Sequence, residues 1–121
     1  MPVGPCRVWY QHRGETLGLA MSRSLGDAIA HKSGVSAEPE MFDHTIDEYD
    51  EFLIVATDGV WDVIDNNQAV QMVYNVAAKS QQWNPLEAAA NVCKFARSRW
   101  EKLAPMVDDI TCMVSKLKGR I

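Results

Sequence analysis

The sequence predicts an α+β fold. Two windows carry apolar residues at helical spacing, three short stretches have the length of strands, and Gly, Pro and Asp punctuate the chain between them. Its 121 residues leave room for one domain at most, and an apolar content of 47% supplies a core. No internal repeat or low-complexity tract is present.

The first 35 residues are broken by Gly4, Pro5, Gly14, Gly18, Gly26 and Gly34. They read as loop with short extended pieces and one helical turn at Asp27 to His31. After Pro39, Met41 to Ile46 alternates loosely and is expected to form an edge strand, and Asp47 to Asp50 supplies a charged turn. Phe52, Leu53, Ile54 and Val55 form a continuous apolar run, which predicts a strand buried on both faces. It leads straight into Thr57, Asp58 and Gly59, so Asp58 falls at the strand's C-terminal end.

Asp65 with Gln68 three residues on has capping-box spacing, and Val70, Val73 and Ala77 then share a face, which predicts a helix over Asn66 to Lys79. Asn84, Pro85 and Glu87 read as N-cap, first and third positions of a second helix. Its stripe runs through Leu86, Ala89, Ala90, Cys93, Ala96, Trp100 and Leu103, and it is expected to end before Pro105. From Ile110 to Leu117, Ile110, Cys112 and Val114 alternate with Thr111, Met113 and Ser115, the pattern of a half-buried strand.

Charge narrows the function. Twelve Lys and Arg against sixteen Asp and Glu give a net charge of -4, which offers a nucleic-acid backbone no overall attraction. Ten carboxylates lie between Glu38 and Asp65 with no Lys or Arg among them, whereas Lys94 to Arg120 holds seven Lys and Arg. No apolar run approaches the roughly 20 residues of a membrane-spanning helix, and the N-terminus does not read as a secretory signal. Three scattered cysteines without a C-x-x-C pair favour a reducing compartment, hence cytoplasm or nucleus.

Several catalytic patterns can be set aside. Cys93 and Arg99 have the C-x5-R spacing of cysteine-dependent phosphatases, but the residues between them lack glycine and fall within the expected helix. There is no P-loop and no G-x-S-x-G elbow, and His12, His31 and His44 share no metal-ligand spacing. The carboxylates are more informative. Asp62 follows Asp58 by four residues, so on a helical turn both project to one side. If the Phe52 strand and the last strand are antiparallel neighbours, Asp58 also faces Asp108. Converging carboxylates repel unless a cation lies between them, and hard Mg2+ or Mn2+ prefers oxygen ligands. On spacing alone, ordinary acidic turns are the simpler explanation of these residues, since strand ends are commonly acidic and turn-like.

Four strings go further: Gly18-Leu-Ala-Met-Ser-Arg-Ser-Leu-Gly-Asp27, Ala37-Glu-Pro-Glu40, Asp50-Glu-Phe-Leu-Ile-Val-Ala-Thr-Asp-Gly-Val-Trp-Asp62-Val, and Asp108-Asp-Ile-Thr-Cys-Met-Val114. In this order they resemble motifs of the type-2C metal-dependent protein Ser/Thr phosphatases. The resemblance spans residues 1–121 as the C-terminal portion of that family's catalytic domain, with residues 1–20 similar to a remnant of its flap segment. It implies part of a four-layer α-β-β-α sandwich of antiparallel sheets whose N-terminal half is missing from this chain. It further implies two Mg2+ or Mn2+ ions that activate a hydrolytic water against phosphoserine or phosphothreonine in phosphoprotein substrates.

By that resemblance Asp58 and Asp108 are metal ligands and Asp62 helps to hold a further, weaker metal. Arg23 and Asp27 belong to a motif with a supporting role. No side chain of this chain is implied as the catalytic nucleophile, and no substrate-binding residue is identified. Two departures matter. Asp109 stands where the family commonly has Asn, and no Asp-Gly-His-Gly-Gly string, source of the bridging aspartate, occurs here. The two-metal centre is therefore expected only together with the N-terminal half, and the 121 residues alone are expected to be inactive. The alternative is a noncatalytic fragment that binds a protein or self-associates through the sheet face that half would cover.

Overall fold

The structure, a computed structural model, describes residues 6–103 and 105–117. The first five residues of the segment read as a flap remnant lie outside the described residues. The architecture is α+β, with two small antiparallel sheets and four helices among the described residues. The chain divides into two compact units, residues 1–44 and 45–121.

The first unit is built on a hairpin. Strand β1, Val8–His12, pairs antiparallel with β2, Glu15–Leu19, in the register Val8↔Leu19 to His12↔Glu15. The two residues between them, Arg13 and Gly14, both have positive φ, 49° and 82°, as the tight mirror-image hairpin turn requires. This stretch, read from sequence mainly as loop, thus contains a regular hairpin. Arg rather than Asn before Gly14 hides the usual turn signal. Gly18 serves another need: a Cβ there would meet the Trp9 ring at 2.7 Å. Helix α1, Ala28–His31, is the single turn expected after Asp27.

Residues 41–46 form no strand, contrary to the sequence expectation. Met41, Phe42 and Ile46 are all exposed, so the loose alternation has no covered face to enforce it.

The second unit holds the core. Strand β3, Phe52–Ala56, pairs antiparallel with β4, Cys112–Lys116, with Phe52↔Lys116, Ile54↔Val114 and Ala56↔Cys112 opposite each other. A single turn, α2, Asp58–Trp61, leaves the end of β3. Two longer helices, α3, Asn66–Ala77, and α4, Pro85–Leu103, follow. Val60, Ile64, Val73, Val92 and Val114 are buried together with small alanines of α3 and α4. One sheet face packs on this cluster through Phe52, Ile54, Ala56 and Cys112. The other face exposes Leu53 (50%), Val55 (48%) and Met113 (57%). Strand β3 is therefore covered on one face within the described chain, not on both.

Both helix starts follow their sequence signals. Asp65 accepts from the Gln68 amide at 2.8 Å while the Gln68 side chain accepts from the Asp65 amide at 3.3 Å, which completes the capping box. Asn84 Oδ1 accepts from the Leu86 amide at 3.0 Å ahead of Pro85. The buried faces are rotated slightly from the expected stripes. In α3 they are Ala69, Val73 and Val76, and in α4 Ala88, Ala89, Val92 and Ala96, with Val70, Leu86 and Leu103 exposed. Alanines and valines fill the centre of the contact, while Met72, Phe95 and Trp100 pack around it. Among the described residues no helix is long and apolar enough to cross a membrane.

Candidate metal centre

Strand β3 and the loop before β4 bring acidic residues to one end of the sheet. The antiparallel pairing continues past the strands: the Thr57 amide donates to the Thr111 carbonyl at 3.0 Å, and Thr57 Oγ1 accepts from the Thr111 amide at 3.2 Å. Thr57 Oγ1 also donates to the Asp109 carbonyl at 3.3 Å. One hydroxyl thus ties the end of β3 to the approach of β4.

Thr57 is the N-cap of α2, and Asp58 opens the helix. A carboxylate in that position is favoured by the partial positive charge of the first turn. Asp62 closes the turn, its amide donating to the Asp58 carbonyl at 2.8 Å. The four-residue spacing therefore acts as helical spacing. Asp108 lies in the loop opposite, where its Oδ1 accepts from the Asp109 amide at 2.8 Å.

Asp58, Asp62 and Asp108 each present a carboxylate oxygen, and these oxygens lie within 4.8 Å of one another. All three residues are exposed. Three hard oxygen donors at this spacing suit a divalent cation such as Mg2+ or Mn2+ better than a soft metal. A cation there would relieve the repulsion among the carboxylates. Asp109 is exposed, and what it contributes here is backbone: its carbonyl accepts from Thr57 and its amide donates to Asp108.

Gly59 makes the close approach possible. A Cβ there would lie 2.1 Å from the Asp109 carbonyl oxygen, 2.9 Å from its carbon and 3.2 Å from Ile110 Cα. The glycine is needed for contact rather than for an unusual turn, since it sits within helical α2. On the other side Trp100 Nε1 donates to the Gly59 carbonyl at 2.7 Å, and Trp61 Nε1 donates to the Ala56 carbonyl at 3.1 Å. Thr57 and Gly59 carry a local signal in the Thr-Asp-Gly string. Trp100, 41 residues from Gly59, carries none.

The remaining motif residues lie elsewhere. In the first unit Arg23 Nη2 pairs with Glu40 Oε1 at 2.8 Å, and Ser24 Oγ donates to the Asp27 carboxylate. Asp27 has a positive φ of 48°, held at the entry to α1. Cys93 and Arg99 both fall inside α4, whose interior amides already serve the helix, so their spacing builds no phosphate cradle. The Cys112 thiol, half-buried on β4, is pushed from 9.0 up to about 11 by burial and by the neighbouring Cys93 thiol.

The sequence profile of the family described as Protein phosphatase 2C matches residues 7–102. This stretch contains Asp58 and Asp62. The chain is 37% identical over 116 residues to "Probable protein phosphatase 2C 72" of Arabidopsis thaliana, covering 94% of this chain and 33% of that protein. It is 49% identical over 102 residues to "Probable protein phosphatase 2C 41" of the same plant, covering 83% of this chain and 27% of that protein. A relative from Oryza sativa subsp. japonica, "Probable protein phosphatase 2C 48", is 40% identical over 99 residues, covering 82% of this chain and 26% of that protein. The chain thus spans about a quarter to a third of the length of the curated relatives it matches. A profile match over most of the chain, with relatives at 37–49% identity, places the chain in the protein phosphatase 2C family.

Proposed function

We propose that residues 1–121 are the C-terminal portion of a protein phosphatase 2C catalytic domain that hydrolyses phosphoserine and phosphothreonine in phosphoprotein substrates. The observation that carries this reading is the convergence of Asp58, Asp62 and Asp108 from two separate chain segments. In it these three carboxylates hold Mg2+ or Mn2+. When bound, such ions supply Lewis acidity and offset negative charge on the reacting phosphoryl group. The chain's own part is to orient the donors: α2 sets Asp58 and Asp62 one turn apart, Thr57 fixes the loop, and the Asp109 amide aims Asp108.

Three carboxylates without a bridging aspartate hold a cation weakly, so the full centre needs chain beyond these residues. The exposed Leu53, Val55 and Met113 support the same view: a second sheet packed there would complete an α-β-β-α sandwich. Residues 1–20 then serve as part of a flap segment, and the working compartment is cytoplasm or nucleus.

The test is hydrolysis of a phosphopeptide, with and without Mn2+, by a chain extended upstream to the length of the relatives. We expect Mn2+-dependent turnover in the extended chain and none in the 121 residues. Partners that merely orient a ligand are worth about 10–100-fold in metal affinity, so Asp58→Asn or Asp108→Asn should lower it by at least about that much. A folded extended chain without metal-dependent turnover would exclude the reading.

The exposed apolar face also favours a second reading, in which the fragment binds a protein or self-associates without catalysis.

A further inference from the structure

We propose that Trp100 is the positioning residue of the acidic centre: its indole N–H holds the Gly59 carbonyl and thereby sets the separation between the Asp58–Asp62 turn and Asp108. The inference rests on the reading of those three aspartates as a cation site. Trp100 itself touches neither cation nor substrate in it.

Helix α2 is a single turn, and its backbone hydrogen bonding leaves the Gly59 carbonyl over. The Asp62 amide donates to Asp58 at 2.8 Å, while the Val63 and Ile64 amides both turn to the Val60 carbonyl, at 3.1 and 2.9 Å. The Gly59 carbonyl therefore lacks the donor that a longer helix would give it. Gly59 is buried, so water is a poor replacement. Trp100 Nε1 fills the position at 2.7 Å, with its ring packed against the core.

The opposite side of Gly59 has no slack. The backbone of Asp109 and Ile110 passes within the space a methyl group would take. Gly59 is thus held between α4 on one side and the loop bearing Asp108 on the other. If the indole bond is lost, α2 is free to rotate its carbonyl toward solvent. Asp58 and Asp62 ride on that turn and must move with it, whereas Asp108 is held by the separate Thr57–Asp109 bond. A donor set that no longer closes to the same separation binds a cation less well.

In the chain extended upstream to the length of the relatives, the experiment compares wild type with Trp100→Phe, which keeps an aromatic ring and removes the N–H. Asn84→Ala serves as a stability control, since it loosens α4 at its far end, where Asn84 caps the helix. Two readouts are taken: Mn2+ affinity by calorimetric titration, and metal-free amide hydrogen exchange at Asp62, with Thr111 as the reference on the segment that Thr57 holds. Trp100→Phe should weaken Mn2+ binding roughly tenfold or more, and speed exchange at Asp62 by about tenfold relative to the α3 interior while Thr111, held by Thr57, stays near its wild-type rate. Asn84→Ala should leave the affinity within about twofold of wild type.

Unchanged exchange at Asp62 in a folded Trp100→Phe protein overturns the proposal, as does an affinity loss no greater than that of Asn84→Ala. If wild type binds no Mn2+ even at millimolar concentration, the cation reading fails, and the exchange readout still decides whether Trp100 fixes the turn. Should Trp100→Phe not fold, wild type decides. On Mg2+ titration the Trp100 indole N–H resonance should shift along the same saturation curve as the Asp58 amide, while that of Trp9 stays in place. A Trp100 resonance that does not respond refutes the coupling.

Discussion

At Gly59 two opposing magnitudes meet. Helix propensity alone favours Ala over Gly by about 1 kcal/mol, yet a Cβ would lie 2.1 Å from the Asp109 carbonyl oxygen, a backbone atom that would have to shift. Forcing extra volume into packed structure costs about 1–3 kcal/mol and more against backbone. Gly59→Ala should therefore lower stability in urea denaturation, and an unchanged or higher midpoint would show that the 109–110 segment yields easily. Cys112 gives a second residue-scale expectation. Its folded pKa, about 11, lies above the ordinary 9.0 because burial and then Cys93 disfavour the thiolate. The stability this contributes is complete below pH about 9 and is lost as pH rises through about 11. Between those limits wild type should lose stability more steeply than Cys112→Ser, which has no thiol to ionise; parallel curves would contradict the shift.

At the scale of elements, end signals predicted more than stripes did. Asp65 with Gln68, and Asn84 with Pro85, mark the starts of α3 and α4 through local chemistry: a side chain satisfies amides that the first turn leaves free. Asp65→Ala should cost about 1 kcal/mol in chemical denaturation; a loss below a few tenths would mean that tertiary packing alone holds the helix end. Within the expected stripes Val73, Ala89 and Ala96 are buried, but at the margins Ala69 and Ala88 face the core while the larger Val70 and Leu86 do not. Helix neighbours decide which of two adjacent apolar residues turns inward. Met41 to Ile46 shows the same limit for strands, since loose alternation with its apolar residues exposed forms no strand. The β1–β2 hairpin went unread for the opposite reason, its Arg13–Gly14 turn adopting positive φ without the Asn or Asp that advertises it.

Across the whole molecule, the feature with most consequence is the apolar outer face of β3 and β4. Leu53, Val55 and Met113 are each about half exposed, and large contiguous apolar surface on a soluble chain marks a contact site. The 121 residues on their own should bind a hydrophobic dye and associate at micromolar concentration, and Leu53→Lys with Val55→Lys should reduce both. A monomer that leaves the dye dark would remove the support for the binding-module reading and for a second sheet packed there. An upstream extension that quenches the dye while gaining Mn2+-dependent turnover would assign the face to the phosphatase domain itself.

The sequence by itself determined which segments become β3, α3, α4 and β4, because apolar periodicity and helix caps act over a few residues. It also carried the family, since four motifs occur in order along one chain. That Asp58 and Asp62 share a side followed from their four-residue spacing. Only the tertiary structure decided that Asp108 joins them within 4.8 Å, that Gly59 is required by a passing backbone, and that Trp100 closes on Gly59 from 41 residues away. The physical reason is range: spacing along a chain fixes neighbours on one turn or one strand. Which separate segments meet is set by strand register and by the volume left between packed elements.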